Sequence, residues 1–210
     1  MTSHRERAER LDRYVTTRVV QLQVGYLANL SSAVAALARL RRGVGSAFGS
    51  DLELLGLALA GAEESLFDDI RGLPDEPTAD EQAAYTAITL YALHQQSRRD
   101  ASMHRRGYSL GRSTRLLGRS VHAGAVQDRF AALGTATTWD ETAHHARGLI
   151  QQFRQHRIPL DYGRLARDLF ELRGRYADTV RMSWGRDFYR QHHPDDDAEE
   201  TPTSDAETTD

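Results

Sequence analysis

Residues 78–97, TADEQAAYTAITLYALHQQS, decide the fold class of this chain of 210 residues. They open with Thr78 and, three residues later, Glu81, the pair that forms a capping box at the start of many helices. The residues behind that pair predict one long helix that ends near Ser97, because apolar residues recur at helical spacing. Its centre should be buried, and the positions expected in the core are Ala83, Ala87, Leu90 and His94.

Similar helix patterns extend from this stretch towards both ends of the chain. Residues 5–28 and a second helix that ends at Arg42 precede it, and the last helix has apolar and aromatic residues at spacings of four up to Phe188. No stretch has the alternation and the β-branched residues typical of a strand. The sequence therefore predicts an all-α fold, a helical bundle of about eight or nine helices. The residues expected to cap N-termini are Ser50 (with Glu53), Thr78 (with Glu81), Ser109, Thr138 (with Glu141) and Asp161.

We expect two small packed subdomains, residues 1–107 and 108–193, followed by a disordered acidic tail, residues 194–210. The tail holds eight of the 30 carboxylates, so the remaining 22 face 27 basic residues in the rest of the chain. All 27 are arginine, and only position can therefore mark a binding site. Without cysteine, a signal-peptide pattern or a membrane-spanning segment, the chain is expected to be cytoplasmic and to have no membrane partner.

No arrangement of residues indicates an enzyme, a metal site or a bound cofactor. His144 and His145 are adjacent and point about 100° apart on a helix, so they cannot hold one ion together. We interpret His94 as structural, because an imidazole at the end of a helix can interact with the last carbonyls. The glycine-rich loop 43–49 lacks the lysine and adjoining hydroxyl of a phosphate-binding loop. Four paired carboxylates are expected on a solvated face: Glu63, Glu64, Asp68 and Asp69.

The basic window, residues 98–119, contains seven arginines and a single acidic residue, Asp100. Like charges at this density repel one another unless an anion lies nearby, so the window favours phosphate binding over a solvated face. A membrane surface is the competing anion, but the helix after Ser109 lacks the bulky aromatic face of an interfacial helix. Three of the arginines fall within about 60° on that helix. The seven are Arg98, Arg99, Arg105, Arg106, Arg112, Arg115 and Arg119.

A second group of arginines, Arg39, Arg41 and Arg42, ends the second predicted helix just before Gly43, and its last two residues are called the second basic cluster. Favourable interaction of cations with a helix C-terminus explains part of this placement. Arg41 follows Val34 by seven residues and falls on the apolar face, where its charge must be paired or reach past the core. Two interpretations of Arg41 stay open, a structural anchor and a fixed phosphate contact.

Six short motifs in order resemble the small subunit of the type I-E Cascade complex, the CasB family. The first three are AALARLRRG at 35–43, LYALHQQ at 90–96 and SLGR at 109–112. The C-terminal half agrees with IPLDY at 158–162, LARDL at 165–169 and WGRDFY at 184–189. The resemblance covers about residues 11–190 and leaves the acidic tail outside.

The resemblance implies an all-α, non-catalytic protein present as two copies packed end to end in a CRISPR RNA-guided complex. Its expected partners are a second copy of itself, the large subunit and backbone subunits, the CRISPR RNA–target DNA hybrid and the displaced single-stranded DNA. The matching motifs imply that Arg41, Arg42 and Arg112 contact DNA. Charge and position alone suggest the same role for the other arginines of the basic window and for Arg147.

A stand-alone helical DNA-binding regulator is the main alternative, and it would need a recognition helix that begins with base-reading residues. The helix after Ser109 begins with Leu110 and Gly111, which are unsuited to that task. An enzyme with an unrecognised helical site is disfavoured by the scattered histidines and carboxylates.

Overall fold

In a computed structural model of the chain, which describes residues 3–62 and 76–190, nine α-helices follow one another and those residues contain no β-strand. The all-α prediction is therefore confirmed. A short 3-10 turn, Arg41–Gly43, follows the second helix. The helices are α1 (His4–Leu27), α2 (Ser31–Leu40), α3 (Leu52–Ala58), α4 (Ala79–Gln95), α5 (Leu110–Ser120), α6 (Ala123–Thr135), α7 (Trp139–Gln155), α8 (Tyr162–Leu172) and α9 (Ala177–Tyr189).

Side-chain caps start most of these helices, and four of the five predicted caps are confirmed. Thr78 and Thr138 form full capping boxes, while the Ser109 and Asp161 side chains accept hydrogen bonds from backbone N–H groups of the first turn. The prediction for Ser50 is wrong. Asp51 caps α3 instead, because its carboxylate accepts hydrogen bonds from the backbone N–H groups of Glu53 and Leu54, at 2.9 and 3.2 Å.

The centre of the fold is formed by α1, α4 and α8, which pack against one another. Thirteen of the 17 residues of α4 are buried, so this helix is enclosed on all sides. Gly163 lets α8 approach α1 closely, since a Cβ there would lie 2.7 Å from the carbonyl oxygen of Asp12. Gly111 does the same where α5 meets α9, beside the backbone of Trp184.

Buried apolar residues from both halves of the chain form a single cluster, which reaches from Ala8 to Trp184. The division into residues 1–107 and 108–193 stays a prediction. The expected disorder of the acidic tail and the expected solvated face at Glu63–Asp69 lie outside the described residues. No helix in the described part of the chain is long and apolar enough to span a bilayer.

Candidate nucleic-acid interface

The N-terminal part of the basic window, residues 98–109, is a loop that the core holds in place from below. The buried Gln95 amide donates to the carbonyl of Ala101 at 2.9 Å and accepts from the N–H of Met103 at 3.0 Å. Gln23 accepts from the N–H of His104 at 2.8 Å. The loop then pairs with Leu160, whose N–H donates to the carbonyl of Met103. These bonds fix the positions of the arginines that the loop carries.

Arg106 lies on the inner side of this loop and has carboxylate partners that its own window does not supply. It forms ion pairs with Asp12 of α1 and, at 3.5 Å, with Asp161 at the start of α8. At this position the nearby anions are carboxylates of the protein itself, which the fold brings in from distant segments. Contact of Arg106 with nucleic acid stays a prediction of the sequence, and these ion pairs favour a structural role instead.

Arg98 and Arg99 also make intramolecular contacts. The Arg98 guanidinium donates to the carbonyl of Arg154 at the end of α7, at 2.8 and 3.0 Å. Arg99 stacks over the ring of Tyr26, 5.3 Å from its centroid, and donates to the side chain of Asn29. Neither contact neutralises the positive charge, so both guanidinium groups keep their attraction for a phosphate.

The outer side of the loop forms a groove of about 390 Å³, which we call the basic groove. Its wall includes Tyr108, whose ring is contacted by two cations. Arg105 lies 5.1 Å and Arg112 4.2 Å from the ring centroid. Stacking holds both side chains in place without neutralising their charge. The basic residues that line the groove itself are Arg105, Arg119, His156 and Arg157.

The helix α5 presents the predicted arginine stripe beside this groove. Leu110 and Leu117 on the opposite face are buried in the core, as expected. Arg112 and Arg115 are half-buried and Arg119 is exposed. Arg115 also donates to the carbonyl of Arg190 at 2.9 Å, which ties α5 to the end of α9.

The second basic cluster lies on the 3-10 turn after α2, with Arg42 exposed and Arg41 half-buried. Arg41 lines a crevice of about 110 Å³ together with Tyr26, Gln96 and Ser97. Arg99 stacks on the same Tyr26, so this tyrosine links the two basic clusters.

Arginines at the end of α7 join these clusters, although the sequence interpretation did not select them. Arg154 donates to the side chain of Gln96 at 2.9 Å, and Arg157 is paired with Asp100 at 2.9 Å while it lines the basic groove. Arg147 lies on the same face of α7 as Arg154, two turns earlier, and is exposed. The short segment RQHR at 154–157 was the available signal. We call the resulting surface the arginine track, and its members are Arg41, Arg98, Arg99, Arg105, Arg112, Arg115, Arg119, Arg154 and Arg157.

Another basic groove, of about 510 Å³, lies along α1 and was also not predicted. It is lined by Arg10, Arg13 and Arg18, whose spacing along α1 was a signal for a shared face. Arg18 donates to the carbonyl of Leu57 at 2.7 Å, so part of this groove has a structural role.

Two buried titratable groups are bonded inside the core. His94 is fully buried, with its Nδ1 atom 3.0 Å from the Tyr162 hydroxyl, and burial lowers its pKa to about 3. Its partner is thus a tyrosine of α8 rather than the helix-end carbonyls that we expected. Asp168 accepts a hydrogen bond from the Trp184 indole at 2.7 Å, and burial raises its pKa to about 6. No three potential ligands among the described histidines and carboxylates are grouped to hold a metal ion.

The chain is similar in sequence and fold to proteins of one family. Residues 36–189 match the family described as CRISPR-associated protein Cse2. The fold resembles the crystal structure of CasB from Thermobifida fusca with a TM-score of 0.72, at 38% identity over 86% of this chain and 98% of that one. A Cse2-family CRISPR-associated protein from Thermus thermophilus shares the fold alone, with a TM-score of 0.63 at 21% identity over 85% and 97% of the two chains. No curated protein sequence matches significantly. The chain therefore belongs to the Cse2 (CasB) family, the family of the type I-E Cascade small subunit.

Proposed function

We propose that this protein is a non-catalytic small subunit of a type I-E CRISPR RNA-guided surveillance complex. In that complex it binds the backbone of the displaced non-target DNA strand and so stabilises the R-loop. Its partners are the CRISPR RNA–target DNA hybrid, the large and backbone subunits, and a second copy of itself. The observation that carries the proposal, beyond family membership, is the continuity of the arginine track from Arg41 to Arg119.

The chemistry of the arginine track suits a strand whose bases need not be read. In an RNA-guided complex, base pairing between guide and target selects the sequence, and the protein needs only contacts to backbone phosphates. A guanidinium can offer two N–H donors to one phosphate without regard to the base attached. The track supplies several of them, fixed by stacking on Tyr108 and Tyr26.

The regulator alternative is disfavoured by the packing of α5. A recognition helix presents its first residues to the edges of bases in the major groove. In this fold Leu110 and Gly111 are buried, and the backbone of α9 lies directly against Gly111. The first turn of α5 therefore cannot enter a DNA groove unless α9 moves away.

The experiment is a double charge reversal, Arg112→Glu with Arg115→Glu, in the assembled complex. We expect the affinity for target DNA to fall roughly tenfold or more, because each reversal removes a phosphate contact and adds repulsion. Filter binding with labelled target duplex measures it. Arg129→Glu with Arg175→Glu, which changes the net charge equally at exposed positions outside the arginine track, is the matched control.

Unchanged affinity in the double variant, with normal assembly and a normal melting temperature, would contradict the proposal. Equal losses in the variant and the control would assign the effect to net charge rather than to the arginine track, and would contradict it as well. The isolated protein should bind single-stranded DNA weakly, with an affinity that falls steeply as salt is added. Sequence-selective binding that is insensitive to salt would favour the regulator.

A further inference from the structure

The acidic tail, residues 194–210, is the part of the chain that the proposed function leaves unused. It contains eight carboxylates and no arginine. It also lies beyond residues 36–189, which match the family. The body that precedes it carries five more basic than acidic residues, 27 against 22. One end of this chain thus has the charge that the arginine track attracts.

The described part of the chain ends beside the stripe of α5. The carbonyl of Arg190 accepts a hydrogen bond from Arg115 at 2.9 Å. One residue earlier, the Tyr189 hydroxyl accepts a hydrogen bond from Gln127 of α6 at 2.8 Å. Further up α9, Asp187 accepts one from Arg164 of α8 at 3.0 Å. These contacts fix the point from which the acidic tail departs.

The remaining chain is long enough to reach the basic groove from that point. Residues 191–210 add 20 residues, and an extended chain covers up to about 3.3 Å per residue. Arg115 and Arg119 are one turn apart on α5, and Arg119 lines the basic groove. The basic groove is therefore only about one helical turn from the tether, well within this reach.

We propose that the carboxylates of the acidic tail bind the arginines of the basic groove within the same molecule and compete there with DNA phosphates. A carboxylate and a phosphate offer guanidinium groups the same paired oxygen acceptors. Tethering gives the tail an effective concentration in the millimolar range, which offsets the weakness of each exposed ion pair. The tail thus suppresses binding of non-specific nucleic acid to the free subunit, and the strand displaced in an assembled R-loop replaces it.

The first test compares the binding of a 20-nucleotide oligo(dT) by three proteins and rests on the proposed function. They are the full chain, a truncation after His193, and a full-length chain in which the eight tail carboxylates are replaced by amides. We expect the truncated and the amide proteins to bind roughly tenfold more tightly at 50 mM salt, with the difference shrinking as salt is raised. Equal affinities of all three would overturn the proposal. A gain on truncation alone would also overturn it, since the effect would then come from length and not from charge.

The second test does not involve DNA. Because the chain contains no cysteine, Ser204→Cys provides a unique site for a spin label. We expect the label to broaden the amide resonances of the loop around Arg105 and of the last turn of α5. The broadening should disappear at roughly 0.5 M salt, because charge screening is strong there. Arg105→Gln with Arg119→Gln should weaken the broadening in the same way.

Broadening that is absent, or located elsewhere, would overturn the tail proposal even if DNA binds as proposed. Broadening at the groove in a protein that binds no DNA would support the tail contact and count against the proposed function.

Discussion

Arg105 and Arg106 are neighbours in the sequence, yet they lie on opposite sides of the same loop. Arg106 points towards α1 and the start of α8, where Asp12 and Asp161 neutralise its charge and where it joins the two helices. Arg105 points outward and stacks on Tyr108 in the basic groove. The comparison separates two uses of one residue type, because a cation bonded to carboxylates stabilises the fold whereas a cation stacked on a ring still attracts phosphates.

The inner side of the loop depends on the close approach of α1 and α8. The largest expected change in the free energy of unfolding is therefore that of a substitution at Gly163. In Gly163→Ala the new Cβ would meet the Asp12 backbone at 2.7 Å, and a backbone atom cannot rotate away. We expect a loss of about 3 kcal/mol in the free energy of unfolding, at the upper end for overpacking. Urea denaturation measures it.

Gly148→Ala in α7 is the matched control, because no atom lies within 4 Å of its Cβ position. It should be neutral or stabilise by up to about 1 kcal/mol, since alanine favours a helix. If the two substitutions behave alike, the close approach of α1 and α8 is not what holds the inner side together.

The two sides of the loop also show which features the sequence could predict: those decided by nearby residues, and not those decided by contacts between distant segments. The caps at Thr78, Ser109 and Thr138 were predictable, because capping is decided by residues three apart. The ion pair between Arg106 and Asp12 was not, since the two are 94 positions apart in the sequence. The same limit concealed Arg157, which reaches the basic groove only because α7 ends beside it.

Ser50 shows a different limit, one of local competition. Both Ser50 and Asp51 can cap a helix, and only the backbone conformation decides which side chain faces the free N–H groups. The partner of His94 was missed for the same reason as that of Arg106, because Tyr162 lies on a distant helix. Local patterns thus predict where elements begin, and the partners of buried polar groups depend on tertiary packing.

The interior below the loop should also be sensitive to acid through His94. Its pKa is about 3 in the folded state, against the ordinary value of about 6.5 for a histidine, so on acidification the unfolded chain takes up the proton first. Stability is therefore lost as the pH falls from 6.5 towards 3, by about 2 kcal/mol between pH 7 and pH 5. Asp168 acts in the opposite direction, because its raised pKa of about 6 adds stability as the pH falls through 6.

The contribution of His94 is isolated by comparing the free energy of unfolding of the wild type with that of His94→Asn at pH 7 and at pH 5. The asparagine retains a polar atom near Nδ1 for the Tyr162 hydroxyl and cannot take up the proton. We expect the variant to be less stable than the wild type at pH 7 and to recover about 2 kcal/mol relative to it at pH 5. His156→Asn, at an exposed residue of the basic groove, controls for the loss of a histidine. A constant difference between wild type and His94→Asn would show that burial does not hold this imidazole neutral.

The smallest expected changes in the free energy of unfolding are those of single substitutions at Arg105 and Arg106. Arg106→Gln removes the nearest cation from the buried carboxylates of Asp12 and Asp161 and leaves Asp12 only its 4.0 Å pair with Arg167. We expect a loss of about 1–2 kcal/mol in unfolding free energy. This is less than for a fully buried pair, since the Arg106 side chain is 59% exposed and solvent screens the interaction. Arg105→Gln removes a stacking contact and a 3.2 Å hydrogen bond to the Tyr108 hydroxyl at an exposed residue, and it should cost under about 1 kcal/mol. Urea denaturation of the two variants at pH 7 measures both.

The same two variants should reverse their order when binding to single-stranded DNA is measured against salt. If Arg105 contacts one phosphate, Arg105→Gln lowers the slope of log K against log salt by about 0.7, the value for one contact on a single strand. Arg106 is already neutralised within the protein, so Arg106→Gln should leave the slope unchanged while it lowers stability. Loss of slope in Arg106→Gln with none in Arg105→Gln would mean that the inner ion pair opens to DNA and that stacking on Tyr108 does not mark a phosphate contact.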